Sequence, residues 1–494
     1  MALHLPLFDW DELNFIETSR EMVRTGNYLQ PTVNYLPFHE KPPLFHWLQA
    51  FFLHLTDNFR VAARLPNLLF GLLTLDGLYR VGRRWRGSEF GLTWAVLMAA
   101  SFLPQLYFST GIIDPVFNYF VFWAVVGLLE NRLVLSSAAL GLALLTKGPA
   151  AGLLVGLWCL VALLRGGVAG AGVKRYTLVG VGALLLFGLW LAALWQRDGG
   201  YFATEFLRYQ WRLFSREDAG HGGFPGYHFV VVLLGCFPAS FYALRALFDP
   251  VAYWEHEDRG MRWLFWIVMI VFTVVSTKIV HYSSLAYFPV TYFAARYVGA
   301  VGELSVRGQK WVRIYLLPCV TALLLLPLLG RFDHLLADWI TDPELSSRLR
   351  LPVHWPIYTF LPGLVLLLTL LANRRVVRLP VLLLGCTLTL TLTAGLLLPR
   401  LITYNQGALT TFYGTLAGRD VYVGTAYHKS YAPEFHARLP PERGARERHW
   451  RFHGPIDRPL YFSAPLRHRE RVLREVPDAV VVDSLGGYLF LRRE

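Results

Sequence analysis

Long apolar runs recur along this chain, separated by short polar turns, at 61–79, 90–108, 113–129, 133–146, 149–164, 176–195, 228–248, 263–277, 280–298, 312–330, 355–372 and 379–398. A bilayer core of about 30 Å takes roughly 20 residues of helix to cross, and backbone groups in hydrocarbon must be satisfied within the segment itself. The pattern predicts about twelve membrane-spanning helices. The break at Gly148 and Pro149 predicts a tight helical hairpin over 133–164.

Both ends depart from this pattern. In FDWDELNFIETSREMVRTGNY, Leu13, Phe15, Ile16, Met22 and Val23 fall at mixed helical spacing, and Asp11 stands where it would cap an amphipathic interfacial helix. From about Gly418 the apolar runs stop. Strand-like DVYVG, PLYFS, AVVVDSL and YLFLRR alternate with helical YAPEFHARL and RHRERVLREV, which predicts a small α/β domain. The expected fold class is an all-α polytopic membrane bundle plus a small C-terminal α/β domain. Residues 1–60 form a first extracytoplasmic loop with interfacial helices, 61–403 the transmembrane domain and 404–494 the C-terminal extracytoplasmic domain.

Composition agrees with a membrane protein: 54% of the 494 residues are hydrophobic and only 16% are charged, with a mean hydropathy of +0.39. The net charge of +13 does not call for a nucleic-acid partner, because most basic residues sit in short loops between spans, where they orient helices. Arg80, Arg83, Arg84 and Arg86 put the loop after the first span in the cytoplasm, and alternation carries the later basic loops to the same side. The first sixty residues, Asp114, Lys147, the loop 196–227, the corner 278–282 and the tail then face outward, on the side opposite the cytoplasm. Delivering the first sixty residues outward needs a thirteenth span ahead of Met1. Cys159, Cys236, Cys319 and Cys386 all lie inside apolar runs and read as packing residues.

The outward face collects the unusual titratable groups. Each has an ordinary reading: Asp11 and Asp114 as helix caps, Lys41 as a snorkelling side chain, Lys147 as a headgroup contact, His281 and Tyr282 as interfacial belt residues, and His221 as part of a glycine turn. Together they describe an anion-binding site capable of acid–base chemistry. Asp11 and Asp114 are the candidate catalytic residues. Glu12, Glu40, Lys41, Lys147, Arg212, His221, Lys278, His281 and Tyr282 are the candidate substrate- and phosphate-binding residues.

That set suits a sugar carried on a polyprenyl phosphate, with its tail in the bilayer and its head at the outer surface. A carboxylate takes the proton of an attacking hydroxyl, and fixed cations stabilise the departing lipid phosphate. No activated Ser or Cys pair suggests a covalent route, so direct displacement predicts inversion at the anomeric carbon. A divalent metal could be held by such carboxylates and histidines, but no ligand spacing is diagnostic, and no other cofactor is indicated.

The ordered series DELNFIETSREM, GNY, HEKPPLFHWL, ARLPN, STGIID, LLTKGP, GHGGFPGYHF and TKIVHY resembles, over essentially the whole chain, the integral-membrane glycosyltransferases of the C-type fold, in particular the aminoarabinose-transferase and protein-mannosyltransferase superfamily. The resemblance implies about thirteen spans, a C-terminal domain outside, Asp11 as the first catalytic aspartate, Asp114 as the second acidic position and Lys41 as the contact to lipid phosphate. Tyr282 and Arg212 match the pattern less closely. Asn14 stands where aminoarabinose transferases commonly carry arginine, and Phe38 where they often carry tyrosine, so neither the donor sugar nor the acceptor (lipid A, a surface glycan or a protein) follows from the resemblance. The alternative is a transporter or flippase of a lipid-linked or anionic substrate. Such a protein would more often place its charges near the bilayer midplane, whereas here they stand at helix ends.

Overall fold

The computed structural model describes residues 5–166, 171–215, 222–248, 255–440 and 452–494. The chain opens with α1 (Asp11–Thr25), the two-residue strands β1 (Thr32–Val33) and β2 (Leu36–Pro37), and α2 (Leu44–Leu55). Then come α3 (Phe59–Arg86), α4 (Ser88–Ala100), α5 (Phe102–Tyr107), α6 (Asp114–Leu129), α7 (Leu133–Lys147), α8 (Pro149–Gly166), α9 (Ala171–Asp198) and α10 (Tyr201–Ser215). The bundle continues through α11 (Tyr227–Gly235), α12 (Ala239–Phe248), α13 (His256–Val274), α14 (Tyr287–Val301) and α15 (Val306–Arg331). Short α16 (Asp333–Trp339) and α17 (Pro343–Leu349) precede α18 (Leu361–Ala372), α19 (Leu379–Leu392) and α20 (Leu398–Gly414).

Each of the twelve apolar stretches folds as helix, but not all as single rods. The 90–108 run divides at Ser101 and the 228–248 run at Cys236–Pro238, and the 280–298 run starts as a 3₁₀ helix over Val280–Ala286. Among the described residues four helices are long and apolar enough to cross a membrane by length and composition: Phe59–Arg86, Gly172–Asp198, Val306–Arg331 and Leu379–Gly414. The predicted hairpin of α7 and α8 turns on Gly148 alone, at φ +65°. A Cβ there would lie 2.7 Å from the Phe206 ring, so both conformation and space require glycine.

Helix α1 departs from the expected interfacial helix. Residues Glu12 to Met22 are buried without interruption, enclosed by α2, α3 and the C-terminal domain. Several of its polar side chains are paired: Arg20 grips Glu17 in a two-pronged contact at 2.8 and 2.5 Å, and Ser19 Oγ donates to Gln49 Oε1 at 3.0 Å. Asp11 is the first residue of the helix rather than its cap, since Trp10 precedes it as the cap residue, with no side-chain bond to the helix's first turn.

The C-terminal domain carries β3 (Tyr422–Thr425), α21 (Ala432–Ala437), β4 (Leu460–Pro465), β5 (Ala479–Leu485) and β6 (Tyr488–Arg493). The sheet order is β3-β4-β6-β5, with β3 parallel to β4 and the other pairs antiparallel. All four strands coincide with the strand-like stretches of the sequence. One apolar cluster joins Leu13 and Ile16 of α1, Leu409 and Tyr413 of α20, and Val423, Phe435 and Phe490 of this domain. The domain is therefore fused to the first segment through a shared core.

Candidate active site

A polar cleft lies where the start of α1, the turn before α2, the ends of α6 and α7, the corner after α13 and the β3–α21 loop converge. Trp10, Asp11, Asn14, Glu40, Lys41, Lys147, His281, Tyr282, Lys429 and Tyr431 are among its walls. Beside it runs an apolar groove of about 460 Å³, walled by Phe117, Leu153, Leu154, Leu207, Trp211 and Phe272. Lys41, Lys147 and Tyr282 line both spaces.

The two aspartates meet through one imidazole. His281 Nε2 lies 3.5 Å from Asp11 Oδ2 and 3.6 Å from Asp114 Oδ2. Their environments differ. The Asp11 side chain is 37% exposed, whereas Asp114 is 2% exposed and accepts from Lys147 Nζ at 2.7 Å through Oδ1. The Lys147 ammonium also sits 4.8 Å from the centre of the Tyr282 ring, a cation–π contact that fixes its direction. Pro115 follows Asp114 at the start of α6, where a missing N–H costs nothing.

Lys41 is an open cation of the cleft. Among the described residues its ammonium forms no ion pair, and burial pushes its pKa down from the ordinary lysine value, with Glu40 opposing and Lys147 reinforcing the shift. A bound anion reverses that bias, since an opposite charge favours the ammonium.

Two expected binding residues are occupied elsewhere. Glu12 is buried; its carboxylate accepts from Arg64 Nε at 2.8 Å and Nη2 at 2.6 Å, from the Phe8 amide at 2.8 Å and from the Gly111 amide at 2.5 Å. It is a clamp that ties α1, beside Asp11, to the turn ahead of Asp114. Asn67 holds the same turn, donating to the carbonyls of Thr110 and Ile112. Lys278 spends its ammonium on the carbonyls of Phe272 (2.9 Å), Thr273 (2.7 Å) and Val275 (2.5 Å). These are the orphan acceptors at the end of α13, so the residue caps a helix instead of facing substrate. Arg212 lies over the Tyr209 ring at 4.8 Å and is not among the residues lining the cleft or the groove. His221 falls outside the described residues. Among the described residues no group of three or more His, Cys, Asp or Glu side chains is arranged to hold a metal ion.

Sequence reasoning missed Trp10, Tyr209, Lys429 and Tyr431, and marked Asn14 only as a departure from the aminoarabinose-transferase pattern. Lys429 and Tyr431 are some 400 residues from Asp11, and their only local mark is a lysine set among aromatics in AYHKSYAPEF.

Residues 40–193 match the family of dolichyl-phosphate-mannose-protein mannosyltransferases. The undecaprenyl phosphate-alpha-4-amino-4-deoxy-L-arabinose arabinosyl transferase of Pectobacterium carotovorum is 24% identical over 336 residues. The chain is thus similar both to protein mannosyltransferases and to aminoarabinose transferases. The alignment covers 62% of this chain and 59% of that relative; the Shewanella sediminis enzyme of the same description is 27% identical over 62% of this chain and 58% of its own length. The chain thus spans less than two thirds of the curated relatives it matches. The likeness in fold extends further: the crystal structure of ArnT from Cupriavidus metallidurans bound to undecaprenyl phosphate superimposes with a TM-score of 0.76, at 19% identity, over 99% of this chain and 95% of that one.

Proposed function

We propose that this protein is an inverting glycosyltransferase that moves a sugar from a polyprenyl-phosphate donor to an acceptor at the outer face of the inner membrane. One observation carries the reading: an apolar groove and a polar, carboxylate-bearing cleft meet at Lys41, Lys147 and Tyr282. A lipid-linked sugar has that order of parts: hydrocarbon, phosphate, sugar. The arabinosyl transferases among the relatives are named for an undecaprenyl-phosphate-linked sugar, and one structure of the same fold holds undecaprenyl phosphate.

In this reading the tail lies in the groove and the phosphate rests on Lys41 with Lys147 behind it. Asp11, the more accessible carboxylate, accepts the acceptor's proton as its oxygen attacks the anomeric carbon. The bond from that carbon to the phosphate oxygen breaks, and the lipid phosphate leaves with the electron pair. Its growing charge is met by cations already in place, which favours the transition state over the ground state. Asp114 holds Lys147 and, with Asp11, brackets His281. A lipid acceptor such as lipid A fits a cleft that adjoins the membrane groove.

Asp11→Asn keeps size and hydrogen-bonding shape while removing the base. Loss of a general base typically costs about 10²–10⁴-fold, so kcat should fall by that order in liposomes with a polyprenyl-phosphate sugar, at unchanged Tm. Asp114→Asn should lower turnover through the misplaced Lys147. Parent-like turnover by both variants would reject the site and favour a transport assay on the same liposomes.

A further inference from the structure

The β3–α21 loop delivers Lys429 into the cleft, and the structure holds it there closely. Trp10 Nε1 donates to the Lys429 carbonyl at 2.8 Å. Asp9 accepts from Ser430 Oγ and, at 3.0 Å, from the Tyr431 amide. The Lys429 ammonium lies 4.8 Å from the Trp10 ring centre and 5.6 Å from that of Tyr431, with Glu40 Oε1 at 3.6 Å. That last distance exceeds hydrogen-bond length. Among the described residues neither the ammonium nor the Glu40 carboxylate makes a hydrogen bond, and the lysine side chain is 42% exposed. An oriented cation without a hydrogen bond among the described residues thus stands over the ring of Trp10, the residue that precedes Asp11.

Lys429, Trp10 and Tyr431 line the cleft but not the groove. The donor phosphate of the proposed reaction has its cations at the junction, so Lys429 serves the other end of the site. We propose that Lys429 is a specificity-determining residue for the acceptor, binding an anionic group of phosphate or carboxylate type that lies next to the accepting oxygen. This rests on the glycosyltransferase reading. An anion gains most from this position because charge-assisted hydrogen bonds are about twice as strong as neutral ones, and because Glu40 is too far away to satisfy the ammonium. The C-terminal domain is then a part of the active site, supplying a side chain that the bundle lacks.

The test uses the full chain in detergent, with a phosphorylated glycolipid and its phosphatase-treated counterpart. Without donor, the parent should bind the phosphorylated form more tightly, and Lys429→Ala should erase that preference while Lys429→Arg retains it and Tm stays constant. With a polyprenyl-phosphate sugar added, Lys429→Ala should raise the KM for the phosphorylated acceptor about 10- to 100-fold and leave the KM for the donor unchanged. Equal loss on both glycolipids, a rise confined to the donor KM, or no binding preference in the parent overturns the proposal. Failure of turnover in the parent, with the binding preference intact, counts against the glycosyltransferase reading alone.

Discussion

At the scale of single residues, three lysines near one cleft do three different jobs, and their partners decide which. Lys147 is neutralised by Asp114, Lys278 closes the end of α13, and Lys41 is left with no ion pair among the described residues. Lys41→Ala should therefore raise the donor KM about 10-fold or more, the worth of one charge-assisted contact, with little change in Tm. Lys278→Met should do the reverse: removing it leaves three carbonyls without a donor, a loss of about 1–3 kcal/mol, seen as a lower Tm at unchanged donor KM. The pair of variants separates a substrate contact from a helix cap by measurement.

Among the elements, α1 is the unusual one, a buried helix rich in charged side chains. Glu12 and Glu17 have arginine partners, but among the described residues the Glu21 carboxylate is met by Thr32 Oγ1 at 2.6 Å and the Tyr35 amide at 3.0 Å, both from the β1–β2 hairpin. That hairpin turns on Asn34 and Tyr35 at φ +54° and +59°, the two-residue turn with both centres left-handed. Burial, with Glu17 close by, pushes the Glu21 carboxyl up to about 7 from 4.5. A raised carboxyl pKa means that the folded state takes up a proton that the unfolded state has released. The stabilisation is thus complete below pH 4.5 and is lost as pH rises through about 7. Glu21→Gln mimics the protonated form, so Tm should be parent-like near pH 4.5 and higher than the parent's at pH 8, by up to about 3 kcal/mol in stability. A pH-independent difference between the two proteins would remove this account.

Across the whole molecule, the two ends of the chain are bound together at the site. Asp9 fixes the Ser430–Tyr431 backbone, Gln406 Oε1 accepts from the Asp9 amide at 3.0 Å, and Tyr35 Oη donates to the Leu439 carbonyl at 2.9 Å. Burial raises the pKa of Asp9, while Ser430 and the Tyr431 amide oppose that shift. Asp9→Ala removes the acceptor of both contacts. It should weaken the docking by about 2 kcal/mol, detected as faster limited proteolysis between residues 415 and 431, while the bundle's own unfolding transition stays in place. Unchanged proteolysis would show that the shared apolar core alone holds the domain.

The sequence by itself determined the helices and the strands, because both rest on local periodicity. Runs of apolar residues set the twelve helical stretches, Gly148 and Pro149 set the hairpin, and short runs rich in β-branched and aromatic residues marked all four strands of the C-terminal sheet. It also placed Asp11, Glu40, Lys41, Asp114, Lys147, His281 and Tyr282 in one candidate set, along with Glu12, Arg212, His221 and Lys278, since the order of the apolar runs brings all of them to one outward face. Tertiary structure decided which partners each of these groups meets. Whether a carboxylate is a base or a clamp depends on which donors reach it, and Glu12 differs from its neighbour Asp11 only because Arg64 and Gly111, far along the chain, close on it. Lys278 and Lys41 look alike in sequence and part company through the carbonyls that one of them meets. The burial of α1 on every face, and the arrival of Lys429 and Tyr431 beside Asp11, come from contacts across some 400 residues. Such contacts leave no periodic trace, because they are set by packing among elements and not by the spacing within any one of them.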